Sequence, residues 1–251
     1  MKTKALVIGA LLGIIFSFSP LQANTINYGD LIGVRMKYLN LTETSMSTGD
    51  VAPLYGTPRL NGDSLIFTSM NFSSQSQNGA SDITDGKLDG MIALKNSGVD
   101  YIDKIKLQEY GDVTLAGTGT SNTKASVANS LFVTVCEVDN APLGFPEFIA
   151  INMVMSENGD WNLASDGAFT GKIWNGVLTL DLTATLAQRG INGHATLVTF
   201  SMDNTLATQS EIGTSAYIAK KAAGLQVTAE VIPEPATLFI LSLGGLLLKR
   251  K

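Results

Sequence analysis

The 251-residue chain carries 17 Lys and Arg against 22 Asp and Glu, a net charge of −5, with a single cysteine. One cysteine excludes an intramolecular disulfide. The acidic balance excludes the basic surface that nucleic acid and anionic headgroups require.

At the N-terminus, Lys2 and Lys4 precede an apolar run over residues 5–18, and Pro20 and the small residue Ala23 follow. That order of charged, apolar and cleavage regions predicts a secretory signal over residues 1–23, cut after Ala23. The run is shorter than the roughly 20 apolar residues of a permanent membrane helix. Between the two ends, residues 24–248 hold 12 basic and 22 acidic residues, a balance of −10.

Residues 24–231, about 210 in number, suit one domain or two small ones. The pattern predicts strands over 34–41, 64–72, 87–93, 101–109, 112–117, 125–138, 148–156, 168–186, 195–202, 216–221 and 225–231. Alternation is clearest from Ile105 to Glu109 and from Leu178 to Leu186, as in half-solvated antiparallel strands. Asn61-Gly62, Asp85-Gly86 and Asn158-Gly159 read as hairpin turns. The Ser-, Gln- and Asn-rich stretch 73–82 reads as a surface loop. Short strands without helical crossovers predict an all-β fold, an antiparallel sandwich or jelly roll, as a single domain.

Chemistry-bearing motifs are sparse. His194, the only histidine, falls in a turn, and no Gly-x-Ser-x-Gly elbow accompanies it. One His and one Cys do not assemble a closed zinc site. Cys136 sits in an apolar run without a basic neighbour, which predicts a small buried hydrophobe rather than a reactive thiol. The acidic clusters Asp82, Asp85, Asp89 and Glu157, Asp160 offer the oxygens that calcium takes, but without the spacing of an EF-hand, so turn formation is the expected role and no cofactor is expected. Trp161, Trp174, Tyr28 and Tyr38 are candidates for a sugar-stacking platform, with core packing the commoner use.

The C-terminal end has a specific order: Pro233-Glu234-Pro235-Ala236-Thr237, an apolar run to Leu248, then Lys249-Arg250-Lys251. The prolines fix φ and remove two backbone donors, so the motif stays extended. The apolar run makes a helix of about 20 Å against a hydrocarbon core of about 30 Å. It can just span, with the basic stop on the cytoplasmic side.

This tail resembles the PEP-CTERM sorting domain of exosortase substrates, with Ile232 where valine is more usual. Residues 62–67 and 81–86 are also similar to uncharacterised bodies that carry this tail. The resemblance implies recognition of Pro233, Glu234 and Pro235 by a membrane-embedded exosortase in a Gram-negative producer of exopolysaccharide. Partners are then the Sec-type export machinery, the exosortase and the membrane, with residues 232–251 as sorting signal. The expectation is a structural or exopolysaccharide-associated protein of the cell envelope or extracellular matrix, not an enzyme and not bound to nucleic acid. A carbohydrate-binding module for the cell's own polysaccharide is the second reading, and a secreted hydrolase the third. For the tail alone, the alternative is a permanent single-pass anchor.

Overall fold

The computed structural model describes residues 24–231, of which 67% are strand and 7% helix. One layer has the strand order β1 (Asn24–Ile32), β2 (Met36–Ser45), β6 (Ser81–Leu94), β13 (Ala195–Gln209), β8 (Lys124–Val138) and β9 (Ala141–Asn152). The short β11 (Asp160–Asn162) also pairs with β8. The other layer runs β10 (Val154–Met155), β12 (Phe169–Asp181), β7 (Asp100–Ala116) and β14 (Ser215–Val231). Onto β14 are added β5 (Ser73–Gln77) and the hairpin of β3 (Arg59–Asn61) and β4 (Ser64–Phe67). All pairings are antiparallel, and one bridge, Ala195 to Ile102, joins the layers at an end. The predicted all-β sandwich is therefore the fold of the described residues.

Alternation builds the core. In β7, Ile105, Leu107, Val113 and Leu115 point inward, and in β13 Val198, Phe200, Met202 and Leu206 meet them from the facing layer. The two tryptophans are interior, Trp161 at 1% and Trp174 at 0% exposure. Removing a side chain of this size from water stabilises the fold by about 3 kcal/mol, so both act as core.

Several predicted elements change. Residues 73–77 are strand β5 rather than loop: buried Ser74 donates to or accepts from Thr208 at 2.9 Å and donates to the Asp82 carbonyl at 3.0 Å. Small polar side chains that satisfy one another inside are indistinguishable by composition from a wet loop. Asp85-Gly86 lies within β6 and makes no turn; a Cβ on Gly86 would stand 2.7 Å from Leu54 and 2.9 Å from Phe72, so glycine serves close packing there. The predicted strands 101–109 and 112–117 are one strand, continuous through Gly111. The predicted 168–186 strand ends at Asp181, where Asp181 caps helix α2 (Leu182–Gln188), which follows the one-turn α1 (Leu163–Asp166) in the chain. Strands 216–221 and 225–231 fuse as β14, with a register shift between Lys220 and Ala222. The strand expected over 64–72 pairs only to Phe67. Asn61-Gly62 makes the β3–β4 hairpin with Gly62 at positive φ as expected, whereas Asn158 and Gly159, also at positive φ, lie in a short 3-10 turn between β10, which pairs with β12, and β11, which pairs with β8, and so close no hairpin.

Candidate functional site

Four strands each send one polar side chain from their inward, apolar phase into a common cluster. Glu109 follows Leu107 in β7, and Lys220 follows Ile218 in β14. Asn204 stands between Met202 and Leu206 in β13, and Asn129 between Val127 and Leu131 in β8. Asn129 and Asn204 are direct cross-strand partners, so both enter the interior at one height. Glu109 and Lys220 descend on them from the opposite layer. Lys220 and Glu109 side chains are 0% exposed.

The contacts link the four side chains and leave Asn129 Oδ1 without a partner. Lys220 Nζ lies 2.7 Å from Glu109 Oε2, at an angle outside hydrogen-bond geometry. It also donates to Asn204 Oδ1. Asn129 Nδ2 donates to Glu109 Oε1 and to the same Asn204 Oδ1, each at 2.7 Å. Asn204 Nδ2 donates to the Tyr55 hydroxyl at 2.5 Å, and that hydroxyl in turn donates to the Gly86 carbonyl at 3.1 Å. Asn204 Oδ1 thus sits between two N–H donors.

Aromatic rings roof the cluster. The amine lies 5.0 Å from the Phe72 ring centre and 5.8 Å from that of Tyr55, positions of cation–π or plain ring shielding. Tyr55 is held by Glu43, whose carboxylate accepts from the backbone N–H groups of Leu54 and Tyr55 and from the Tyr28 hydroxyl at 2.6 Å. Burial pushes the Lys220 amine below the ordinary lysine value, against the opposing pull of Glu109. Burial, then the charge of Glu109, push the Tyr55 phenol well up, so it stays a neutral O–H. A fully buried pair of ions costs several kcal/mol each in lost hydration, so Lys220 and Glu109 as a charge pair are a burden on the interior that their contacts must offset.

The residues singled out by sequence lie elsewhere. Ala23, Pro233, Glu234, Pro235, Lys249, Arg250 and Lys251 are outside the described residues. His194 stands in a turn, its Nδ1 3.4 Å from Asp139 and its ring 4.2 Å from that of Tyr101. Cys136 is half-buried on the outward phase of β8, not interior, and its thiol points to the Thr134 carbonyl. Asp82 and Asp85 fall on opposite faces of β6. The Glu157 carboxylate is occupied by Trp161 Nε1 at 2.5 Å and Lys172 at 2.6 Å, both contacts within one turn and its neighbouring strand. Among the described residues no group of three or more His, Cys, Asp or Glu is placed to hold a metal. No described helix is long and apolar enough to cross a membrane.

Of the aromatic platform candidates, Trp161, Trp174 and Tyr38 are buried and Tyr28 is half-buried on Glu43. Half-buried Phe132 and exposed Phe148 instead stack at 6.0 Å on the surface, lining a groove of about 360 Å³ that includes Asn40, Asp89 and Ser201.

No family model and no curated protein matches the chain. Among solved structures, a loop-swap mutant of the Necallimastix patriciarum xylanase Xyn11A is 11% identical, covering 76% of this chain and 100% of the other, with a TM-score of 0.19. A chain from the structure of infectious bursal disease virus, Gt strain, is 11% identical over 80% of this chain, with a TM-score of 0.16; this chain spans 52% of that one. The VP2 subviral particle of the same virus is 12% identical over 76% of this chain and 46% of its own, with a TM-score of 0.15. Scores this low carry no argument about function.

Proposed function

We propose that this protein is an exported structural component of the cell envelope or extracellular matrix, sorted by an exosortase through Pro233, Glu234 and Pro235. The observation that carries the reading is the joint order of the two ends: a charged, apolar, small-residue leader, and a Pro-Glu-Pro, apolar, basic tail. Between them the described residues form an acidic sandwich whose tryptophans are spent on the core and whose polar interior is closed to solutes.

A second reading, a binding face for the cell's own polysaccharide, rests on the stacked Phe132 and Phe148 beside polar groups on the outer face of the β2–β9 layer. Ring faces of this kind pack on apolar sugar faces.

The sorting reading is tested on protein recovered from the producing cell's envelope or medium. Its C-terminal peptide, read by mass spectrometry, is expected to end before Lys251. Replacing Pro233, Glu234 and Pro235 by alanine is expected to leave export intact and the tail whole. A mature wild-type chain that still ends in Lys251 sinks the proposal and leaves the permanent anchor.

A further inference from the structure

We infer that Lys220 and Asn204 react with one another inside the folded domain to form an isopeptide bond, with Glu109 as the proton-transferring catalytic residue. The reading is independent of how the tail is processed. It starts from a puzzle of burial: a lysine, a glutamate and two asparagines occupy core positions, each flanked by apolar residues on its own strand, at a level with no solvent access. A centre that no solute reaches can act only on itself.

The nucleophile, the electrophile, the base and the oxyanion donor of amide exchange are each a named atom of the cluster. The nucleophile must be an unprotonated amine, and burial lowers the proton affinity of Lys220 while Glu109 Oε2 stands 2.7 Å away to take the proton. The electrophile is the Asn204 carboxamide, whose Oδ1 is in contact with Lys220 Nζ. Charge that develops on that oxygen is met by Asn129 Nδ2 at 2.7 Å, a fixed donor in a dry site. The leaving nitrogen, Asn204 Nδ2, already has its hydrogen bond to Tyr55 at 2.5 Å. Asn129 also holds Glu109 in place by its 2.7 Å bond to Oε1 and is thus both donor and positioning residue.

The step balances. Lys220 Nζ first gives a proton to Glu109. Its lone pair then attacks Asn204 Cγ, and a tetrahedral centre forms with its charge on Oδ1. Glu109 returns a proton to Nδ2 and accepts the second proton from Nζ. The Cγ–Nδ2 bond breaks, and one ammonia leaves. The product is a secondary amide between Nζ and Cγ, with no change of oxidation state and no co-reactant. It also replaces a buried charge pair by a neutral amide, which removes the hydration cost that the unreacted cluster bears.

The test uses the full chain, produced in soluble folded form, denatured and cut with trypsin. Arg189 and Lys221 bracket both partners, so the bond predicts a peptide over residues 190–221 that is lighter than its sequence by one ammonia and uncut after Lys220. Fragmentation is expected to find Lys220 branched to Asn204. Glu109→Gln is expected to restore the full mass and cleavage after Lys220; its circular dichroism reports whether it folds. The wild-type digest decides the matter even if that variant does not. A folded wild-type chain that is cut after Lys220 and has full mass overturns the proposal. So does loss of ammonia with Lys220 still cut, since that is the signature of an Asn204 succinimide.

Discussion

Asp85 and Asp203 lie on the outer face of β6 and β13, where Asp85 is opposite Thr205 and Asp203 opposite Lys87, so the two carboxylates are diagonal neighbours. Burial, and after it the charge of Asp203, push the Asp85 carboxyl above its ordinary value. A raised carboxyl takes its proton more readily in the folded state than in the unfolded. Its contribution to stability is therefore full below the ordinary carboxylate range and is lost as the pH rises through the raised folded value. Asp85→Asn keeps the oxygen that accepts from Thr205 at 3.3 Å and removes the charge. It is expected to raise stability at neutral pH by about 0.5 kcal/mol, the scale of one like-charge cross-strand pair, and to give no gain below about pH 3. Urea midpoints of the two proteins at both pH values check this; an equal difference at both removes the repulsion argument. At the same scale, the interior cluster left a trace in the sequence. Glu109 continues the apolar phase of Ile105 and Leu107, and Asn204 that of Met202 and Leu206. An acid or amide on the dry phase of an alternating strand is a buried polar group in need of partners. What the pattern did not disclose was that four such positions share one height, because that depends on pairings between strands distant in the chain.

Helix α2 exists because of its cap. The alternation of Leu178, Leu180 and Leu182 runs on through Ala184 to Leu186, but Leu182 and Leu186 are also one helical turn apart and both are buried. Such a run fits a strand or a helix equally. Asp181 decides it, since its Oδ1 accepts from the Ala184 N–H at 2.8 Å and satisfies a donor that a strand would give to a neighbour. Asp181→Ala is expected to cost about 1 kcal/mol in urea unfolding. Asp181→Asn keeps the acceptor and loses only the exposed ion pair with Lys104, so it is expected to cost less than half as much. Equal losses in the two variants would assign the effect to charge rather than capping. The long strands follow the same lesson. Gly111 reads as a break between two strands, yet β7 runs through it, because a Cβ there would meet the Ala219 carbonyl at 2.0 Å and the Trp174 ring at 2.3 Å. Whether glycine ends a strand or admits a neighbour is set by what packs on it, and Trp174 arrives from β12.

At the scale of the whole molecule, β13 and β14 are consecutive in the chain but belong to opposite layers, so a bond from Asn204 to Lys220 ties the two sheets together. The partners are 16 residues apart. A cross-link that closes a loop of this size stabilises by about 3 kcal/mol, chiefly by restricting the unfolded chain. The same cluster without the bond has the opposite tendency. Buried ion pairs replaced by apolar residues of similar volume commonly leave stability unchanged or raise it by about 1–4 kcal/mol. The quadruple variant Glu109→Leu, Asn129→Leu, Asn204→Leu, Lys220→Met, which also removes the Asn129 amide that would otherwise lose both of its acceptors, separates the two cases. With the bond present in the wild type, the variant is expected to unfold at lower urea, by the equivalent of about 3 kcal/mol. An unchanged or higher midpoint is the result that a bare charge cluster gives. A second quantity distinguishes a lost cross-link from a merely strained core. A cross-linked chain exposes less surface when it unfolds, so the dependence of stability on urea is expected to be steeper in the variant than in the wild type. Strain in the folded core shifts the midpoint and leaves that slope alone.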